Sequence, residues 1–534
     1  MPQPALFDRR TTWWAVFGAA AAALLVPLFV VDVPPLLDYP NHMARMHVLA
    51  FGPSDPVLSR FYTARWSLIP NLAIDLAVPP LLRVAPLDVA GRVVLGAILL
   101  LSLAATVLYS RAAFGLHSYW PIASALIGYN GLFLLGFLNF LLGLALALLL
   151  AAFWIHRRDG HPALAVAVAT VGAIALFFCH IFSVLFCAVL LASQEITSLS
   201  SRRRRGAPLA RAALQRFAAL VLVFLPALLL YVQSEVSGRE GTLSWWSLGQ
   251  KILNLASPFV NYDVTLDRVT ALVVVVSAGL GIAMRRTTVH PGSALAAAIL
   301  LVMYLAAPHS AKGVEYVDAR FPIMVGMMLF GGMLPRLPSA LGVAVGGTLA
   351  ALFVARMTIV TEVWVEHRQD LADIRASISH VEPGSRVLVA MAGPAADAEG
   401  GPARRSRVIA LHNRTDLHLG SLLITERRAF VPTLFAQRGQ QPLVVLPPYD
   451  RLAVPAGVPP DYRVLANPTE HELGFAPYLQ AWTSHFDYVL VLNAAWARSP
   501  DLPAFLPDKL ELVHRTEMAA LLRVRTAAPA GTGR

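Results

Sequence analysis

The sequence predicts a mostly α protein: a polytopic transmembrane helical bundle of about eleven helices, followed by a C-terminal α/β domain outside the cytoplasm. Three observations carry this. Hydrophobic residues are 57% of the 534 and charged residues only 14%, with a mean hydropathy of +0.61, a balance suited to lipid rather than water as solvent. Apolar runs of about 15 to 22 residues, each long enough to cross a hydrocarbon layer roughly 30 Å thick, recur from Trp13 to Val360. Arginines gather between alternate runs, as the positive-inside rule requires of cytoplasmic loops.

The first run, Trp13 to Val31, follows Arg9 and Arg10 as a secretory signal would. Val33-Pro34-Pro35 stands where a small-residue cleavage site belongs, so the run reads as an uncleaved anchor. Helices over 12–31 and 92–109 then enclose a long outer loop, 32–91. Within it Leu68 to Leu82 is apolar but broken by Pro70, Asp75, Pro79 and Pro80, and is expected to lie along the membrane surface. Tyr119 to Ile155 is nearly twice too long for one crossing. It must fold back near Gly136-Phe137-Leu138-Asn139. Pro162 to Thr197 has the same excess length, with His180 beside its turn. Further helices are expected over 212–232, 269–284, 294–307, 321–334 and 340–360.

With the N-terminus inside, the inner ends carry Arg9, Arg10, Arg111, Arg157, Arg158, Arg202 to Arg205, Arg211, Arg216, Arg285, Arg286 and Arg336. Eleven crossings place the rest of the chain outside. The division is a transmembrane domain, 1–360, and an extracytoplasmic domain, 361–534, with a helix over Val363 to His380 and strands over Arg386 to Met391, Tyr488 to Asn493 and Leu521 to Val524. The Ala, Leu and Arg bias, and two cysteines that both lie in apolar sequence, fit a bacterial inner membrane.

Several chemistries lose their usual signals. The chain has no GxxxxGK[ST], HExxH, GxSxG or GxGxxG, which removes the motifs of nucleotide-driven transport, zinc proteolysis, serine hydrolysis and nicotinamide chemistry. The net charge of +11 resides largely in the arginine clusters that topology explains, so nucleic acid is not an expected partner. No cofactor is expected. Nothing in the residue pattern supports a divalent metal, and the metal requirement stays open.

The densest polar patch runs from Pro34 to Arg45, just outside the first helix. Pro40 is placed to open a short helix on which His42 and Arg45 share a face, with Asp38 before the first turn. A carboxylate beside a histidine and an arginine could act as a general base next to an anion site; equally, Asp38 could be a helix cap among solvated neighbours. A second patch, His309 to Phe321, precedes a late helix. Arg320, with Lys312, could hold a lipid phosphate, or Arg320 could pair with Asp318 at the interface. His309 belongs to the same patch. His180 is an ionisable residue in apolar sequence, which makes it a candidate ligand-binding group as well as a packed histidine. Trp245, Trp246, Asp263 and Asp267 suit either sugar contacts or an interfacial belt. Gly342 and Gly346 form a GxxxG that reads as helix packing.

These features together resemble the GT-C class of membrane glycosyltransferases, which includes protein O-mannosyltransferases and aminoarabinose transferases. The likeness rests on the inside N-terminus, the long first outer loop with an acidic residue just after the first helix, the short paired helices, Arg320-Phe321 before a late helix, and the external α/β tail. It implies a lipid-linked sugar on a polyprenyl phosphate as donor, an extracytoplasmic acceptor, Asp38 as the reaction-centre carboxylate and Arg320, with Lys312, as the donor-phosphate cation. Asp38 is followed by Tyr39 rather than by a second acidic residue, a departure from many relatives. The competing reading is a non-enzymatic transporter or flippase for a lipid-linked or polar solute.

Overall fold

The structure is a computed structural model that describes residues 9–204, 210–238, 240–311, 313–393, 404–409, 413–455, 457–497, 502 and 505–525. Its helices, in chain order, are α1 (Arg9–Leu25), α2 (Tyr39–Phe51), α3 (Ala73–Leu82), α4 (Leu87–Phe114), α5 (Gly131–Leu135), α6 (Leu138–Arg157) and α7 (Pro162–Cys179). There follow α8 (Ile181–Arg204), α9 (Ala210–Gln233), α10 (Leu248–Asn254), α11 (Val264–Ala283), α12 (Pro291–Ala306), α13 (Arg320–Gly331) and α14 (Ser339–Ile378).

Among the described residues 8 helical segments are long and apolar enough to cross a membrane. The eleven expected crossings are all present as apolar segments, but three of them, 120–135, α12 and α13, fall short of that length. Their backbones explain why. Trp120–Ile127 is wound as a 3₁₀ helix with Pro121 in its first turn, and α5 restarts only where the Asn130 side chain accepts the Phe133 N–H. α13 has 12 residues, roughly 18 Å of helix. It is buried along almost its whole length, so its irregular ends meet protein rather than lipid.

Contacts between elements sort the bundle into two ends. Trp13 Nε1 donates to Ser118 O at 2.8 Å and Trp120 Nε1 to Leu329 O at 3.0 Å, which puts the starts of α1 and of the 120–135 segment beside the finish of α13. The arginines of the 111, 157–158, 202–204, 285–286 and 336 positions follow at this end, where strands Thr287–Val289 and Met333–Pro335 pair. At the opposite end Leu72 N–H donates to Phe178 O, and Arg375 near the end of α14 pairs with Asp32. The three shorter segments therefore connect the same two ends as the long ones.

The expected helices 340–360 and 363–380 are one continuous helix, α14, because no proline or glycine interrupts Val360 to Ile378. Position 360, the division expected from the sequence, lies inside it. Gly342 and Gly346 do not pack against a neighbouring helix: a Cβ at Gly346 would meet nothing within 4 Å. Beyond α14 a four-stranded sheet has the order Val387–Met391, Tyr488–Leu492, Ala519–Val524, Leu510–Arg515, its first pair parallel and the others antiparallel. The strand at 510–515 escapes sequence reading because it alternates poorly and ends in charge. A separate strand pair, Tyr62–Ala64 with Leu443–Val445, joins the first outer loop to this domain. The chain is an integral membrane protein, a polytopic helical bundle with a C-terminal α/β domain.

Candidate active site

Asp38 occupies the N-cap position of α2 but makes no capping hydrogen bond with its side chain. Its carboxylate is 18% exposed and lies 3.4 Å from Nε2 of His418, a residue of the C-terminal domain. The Asp38 backbone is fixed from below, where its N–H donates to Leu135 O at 3.2 Å. The next residue, Gly136, has φ 90° and sits so close that a Cβ there would be 2.8 Å from that of Asp38. Only glycine meets both demands. The expected turn at 136–139 is thus the floor under Asp38.

The residue after Gly136 reaches the second charge. Arg320, at the first turn of α13, is 4% exposed. Its guanidinium carbon lies 5.0 Å from the Phe137 ring centroid, 5.2 Å from Phe182 and 6.0 Å from Phe140. Nη1 donates to the carbonyls of Glu315 (3.1 Å) and Tyr316 (2.6 Å), while Nε is buried without a partner. Arg320 pairs with no carboxylate among the described residues. The expected alternative, a pair with Asp318, is not formed because Asp318 faces His309 Nδ1 (3.0 Å) and Lys251 Nζ (3.7 Å).

Tyr316 adjoins Arg320 through its carbonyl. It is held left-handed at φ 57°, a costly conformation for a non-glycine residue, and its hydroxyl donates to Asn413 Oδ1 at 2.7 Å. Burial, together with the charges of Glu315 and Asp38, raises its phenol pKa. His309 packs edge-on against Tyr316 and stacks on Trp246 with 4.0 Å between centroids. His180 ends α7 and packs against Phe140 and Phe182, two of the rings around Arg320. Asp38, His180, His309 and Arg320 are therefore brought into one layer at one end of the bundle.

His42 and Arg45, expected to share a site face with Asp38, take different partners. His42 turns toward Phe435 of the C-terminal domain (5.7 Å), and its Nδ1 is buried without a partner. Burial, and secondarily the Arg45 charge, lowers its pKa from 6.5 to about 4. Arg45 is corrected from an anion ligand to an internal ion pair. Its Nε and Nη2 donate to Asp75 at 2.7 and 3.1 Å, with side chains 1% and 0% exposed, and this pins α2 to α3. Lys312 lies outside the described residues. Asp263 caps α11, and Asp267 pairs with Arg356 inside the bundle. Among the described residues no three His, Cys, Asp or Glu side chains cluster to hold a metal ion.

His418, Phe435 and Tyr316 were not singled out from the sequence. Tyr316 lay within the second polar patch and could have been. His418 and Phe435 sit in loops without periodicity or motif, and no signal marks them. The arrangement offers a carboxylate and a guanidinium without a carboxylate partner, joined through Gly136-Phe137. It can bind an anion at Arg320 and take a proton at Asp38.

No protein-family model matches the chain, and no curated protein matches it in sequence. Among solved structures, ArnT from Cupriavidus metallidurans in the apo state aligns over 96% of this chain and 98% of that one, with a TM-score of 0.54 at 12% identity. ArnT from the same organism bound to undecaprenyl phosphate aligns over the same shares with a TM-score of 0.50 at 11% identity. At such identity the likeness is one of fold. The chain has the fold of ArnT, an aminoarabinose transferase of the GT-C glycosyltransferase class.

Proposed function

We propose that this protein is a membrane glycosyltransferase that moves a sugar from a polyprenyl-phosphate donor to an extracytoplasmic acceptor, with Asp38 as general base and Arg320 as the cation for the donor phosphate. The observation that carries the reading is the coupling of these two residues through one turn, Gly136 against Asp38 and Phe137 against Arg320. The fold shared with a protein solved with undecaprenyl phosphate bound supports the class of donor.

In the transfer, an acceptor hydroxyl gives its proton to the Asp38 carboxylate as its oxygen bonds to the anomeric carbon. The bond from that carbon to the phosphate oxygen breaks, and its electron pair leaves with the polyprenyl phosphate. Arg320 stabilises the charge that develops there; buried among three aromatic rings, it acts with little screening by water. His180 and His309 line the same layer and are read as donor or acceptor contacts. The protein resides in a bacterial inner membrane with its N-terminus in the cytoplasm, so that the site and the α/β domain are extracytoplasmic.

Native mass spectrometry of the purified protein tests this. A co-isolated polyprenyl-phosphate sugar, lost in Arg320→Gln, is the expected result. Its repeatable absence, with solute transport into proteoliposomes, would favour the transporter.

A further inference from the structure

We propose that His418 is a positioning residue for Asp38, delivered by the C-terminal domain to aim one carboxylate oxygen at the acceptor; this rests on the reading of Asp38 as the general base. His418 Nε2 is 3.4 Å from Asp38 Oδ1. That is longer than a settled hydrogen bond, a separation catalytic pairs show before substrate closes the site. The imidazole is 3% exposed and closely packed. Phe435 packs edge-on at 4.9 Å, and Gly457 lies so close that a Cβ there would be 3.0 Å from Cε1 of the ring.

The grip is built from α2 itself. Asn41, one turn after Asp38 and fully buried, donates through Nδ2 to Thr433 O and accepts from Phe435 N–H through Oδ1, both at 2.7 Å. The helix that carries the base thus clamps the segment that orients the histidine. Upstream, Asp416 is held by Arg414 at 2.9 and 2.6 Å and by Asn493 Nδ2 at 2.7 Å, so His418 hangs from a rigid loop. Nδ1 of His418 is buried with no partner. The tautomer this satisfies carries its proton on Nε2, the nitrogen nearest Asp38 Oδ1, and leaves Oδ2 for the acceptor proton.

The test uses the full-length protein and a panel of synthetic undecaprenyl-phosphate monosaccharides, with an inner-membrane lipid extract as the source of acceptor hydroxyls and release of undecaprenyl phosphate as readout. His418→Leu is expected to lower kcat by about tenfold to a hundredfold, as misaimed bases do, with undecaprenyl phosphate binding unchanged. His418→Gln, whose amide nitrogen can stand near Nε2, should recover to within about threefold of the parent. Combined with Asp38→Asn, His418→Leu should add no further loss. Parental kcat in His418→Leu, or equal damage in the Leu and Gln variants, overturns the positioning role while an inactive Asp38→Asn leaves the catalytic reading standing. An active Asp38→Asn removes both. Independently of turnover, [¹⁵N]histidine spectra should assign His418 as the Nε2–H tautomer, with a resonance that moves in Asp38→Asn; an Nδ1–H tautomer, or no response, also overturns the proposal.

Discussion

Gly136 and Asp38 are in van der Waals contact across the joint between the α5–α6 turn and the start of α2, where a Cβ added to Gly136 would fall 3.2 Å from the Asp38 backbone nitrogen as well as 2.8 Å from its Cβ. Gly136→Ala is therefore expected to be costly twice over. The left-handed backbone costs about 1 to 2 kcal/mol for an L side chain, and the overlap adds about 1 to 3 kcal/mol. Thermal unfolding in detergent should show the loss, and turnover should fall further than stability because the base is displaced. An unchanged melting temperature would mean the turn is slack.

Asp38→Asn keeps the side-chain shape and, since Asp38 makes no capping bond, removes no cap. Insertion and donor binding should survive. Turnover should drop by about a hundredfold or more, the usual contribution of a general base. Parental turnover would show that the proton goes elsewhere.

Arg320→Gln removes the positive charge from a buried aromatic cage while retaining one amide donor. Undecaprenyl phosphate affinity should weaken by about 1.5 to 3 kcal/mol, the range for hydrogen bonds to charged groups, or roughly tenfold to a hundredfold. Arg320→Lys should recover part of this, because a point charge lacks the planar fork. Isothermal titration with undecaprenyl phosphate in detergent checks both, and unchanged affinity in the Gln variant would make Arg320 an anchor of α13.

His42 supplies a pH dependence. Its pKa is about 4 in the folded protein, against an ordinary 6.5. Between these values the unfolded chain holds a proton that the folded chain does not, so stability falls as pH drops from about 6.5 and levels off below about 4. His42→Phe should remove this component and flatten the acid side of the stability curve. A slope identical to the parent's would show that His42 is solvated.

Orientation is checked by reporter fusion after Arg525. Alkaline phosphatase there should be active and green fluorescent protein dark. The opposite pattern would put Asp38 and Arg320 on the cytoplasmic side and remove the lipid-linked donor reading.

Hydropathy alone determined that the chain lives in lipid, and arginine placement alone sorted its segments into two ends, because helix length and the cost of moving a charge through a bilayer are local properties of sequence. The turn at Gly136 was legible for the same reason: a run of apolar residues twice too long must fold back, and glycine marks where. The strands at 387–391, 488–492 and 519–524 were readable from their β-rich apolar runs. Three segments, 120–135, α12 and α13, fall below the length of a full crossing, and sequence cannot say which helices face lipid and which are sheltered by protein. Arg45 illustrates the larger limit. Three residues from His42 on a helix, it fitted an anion site until Asp75, thirty residues away, was found to take its guanidinium. Tertiary structure alone decided that His418 meets Asp38. A contact between residues 380 positions apart depends on how the C-terminal domain docks on α2, and neither periodicity nor motif encodes that docking locally.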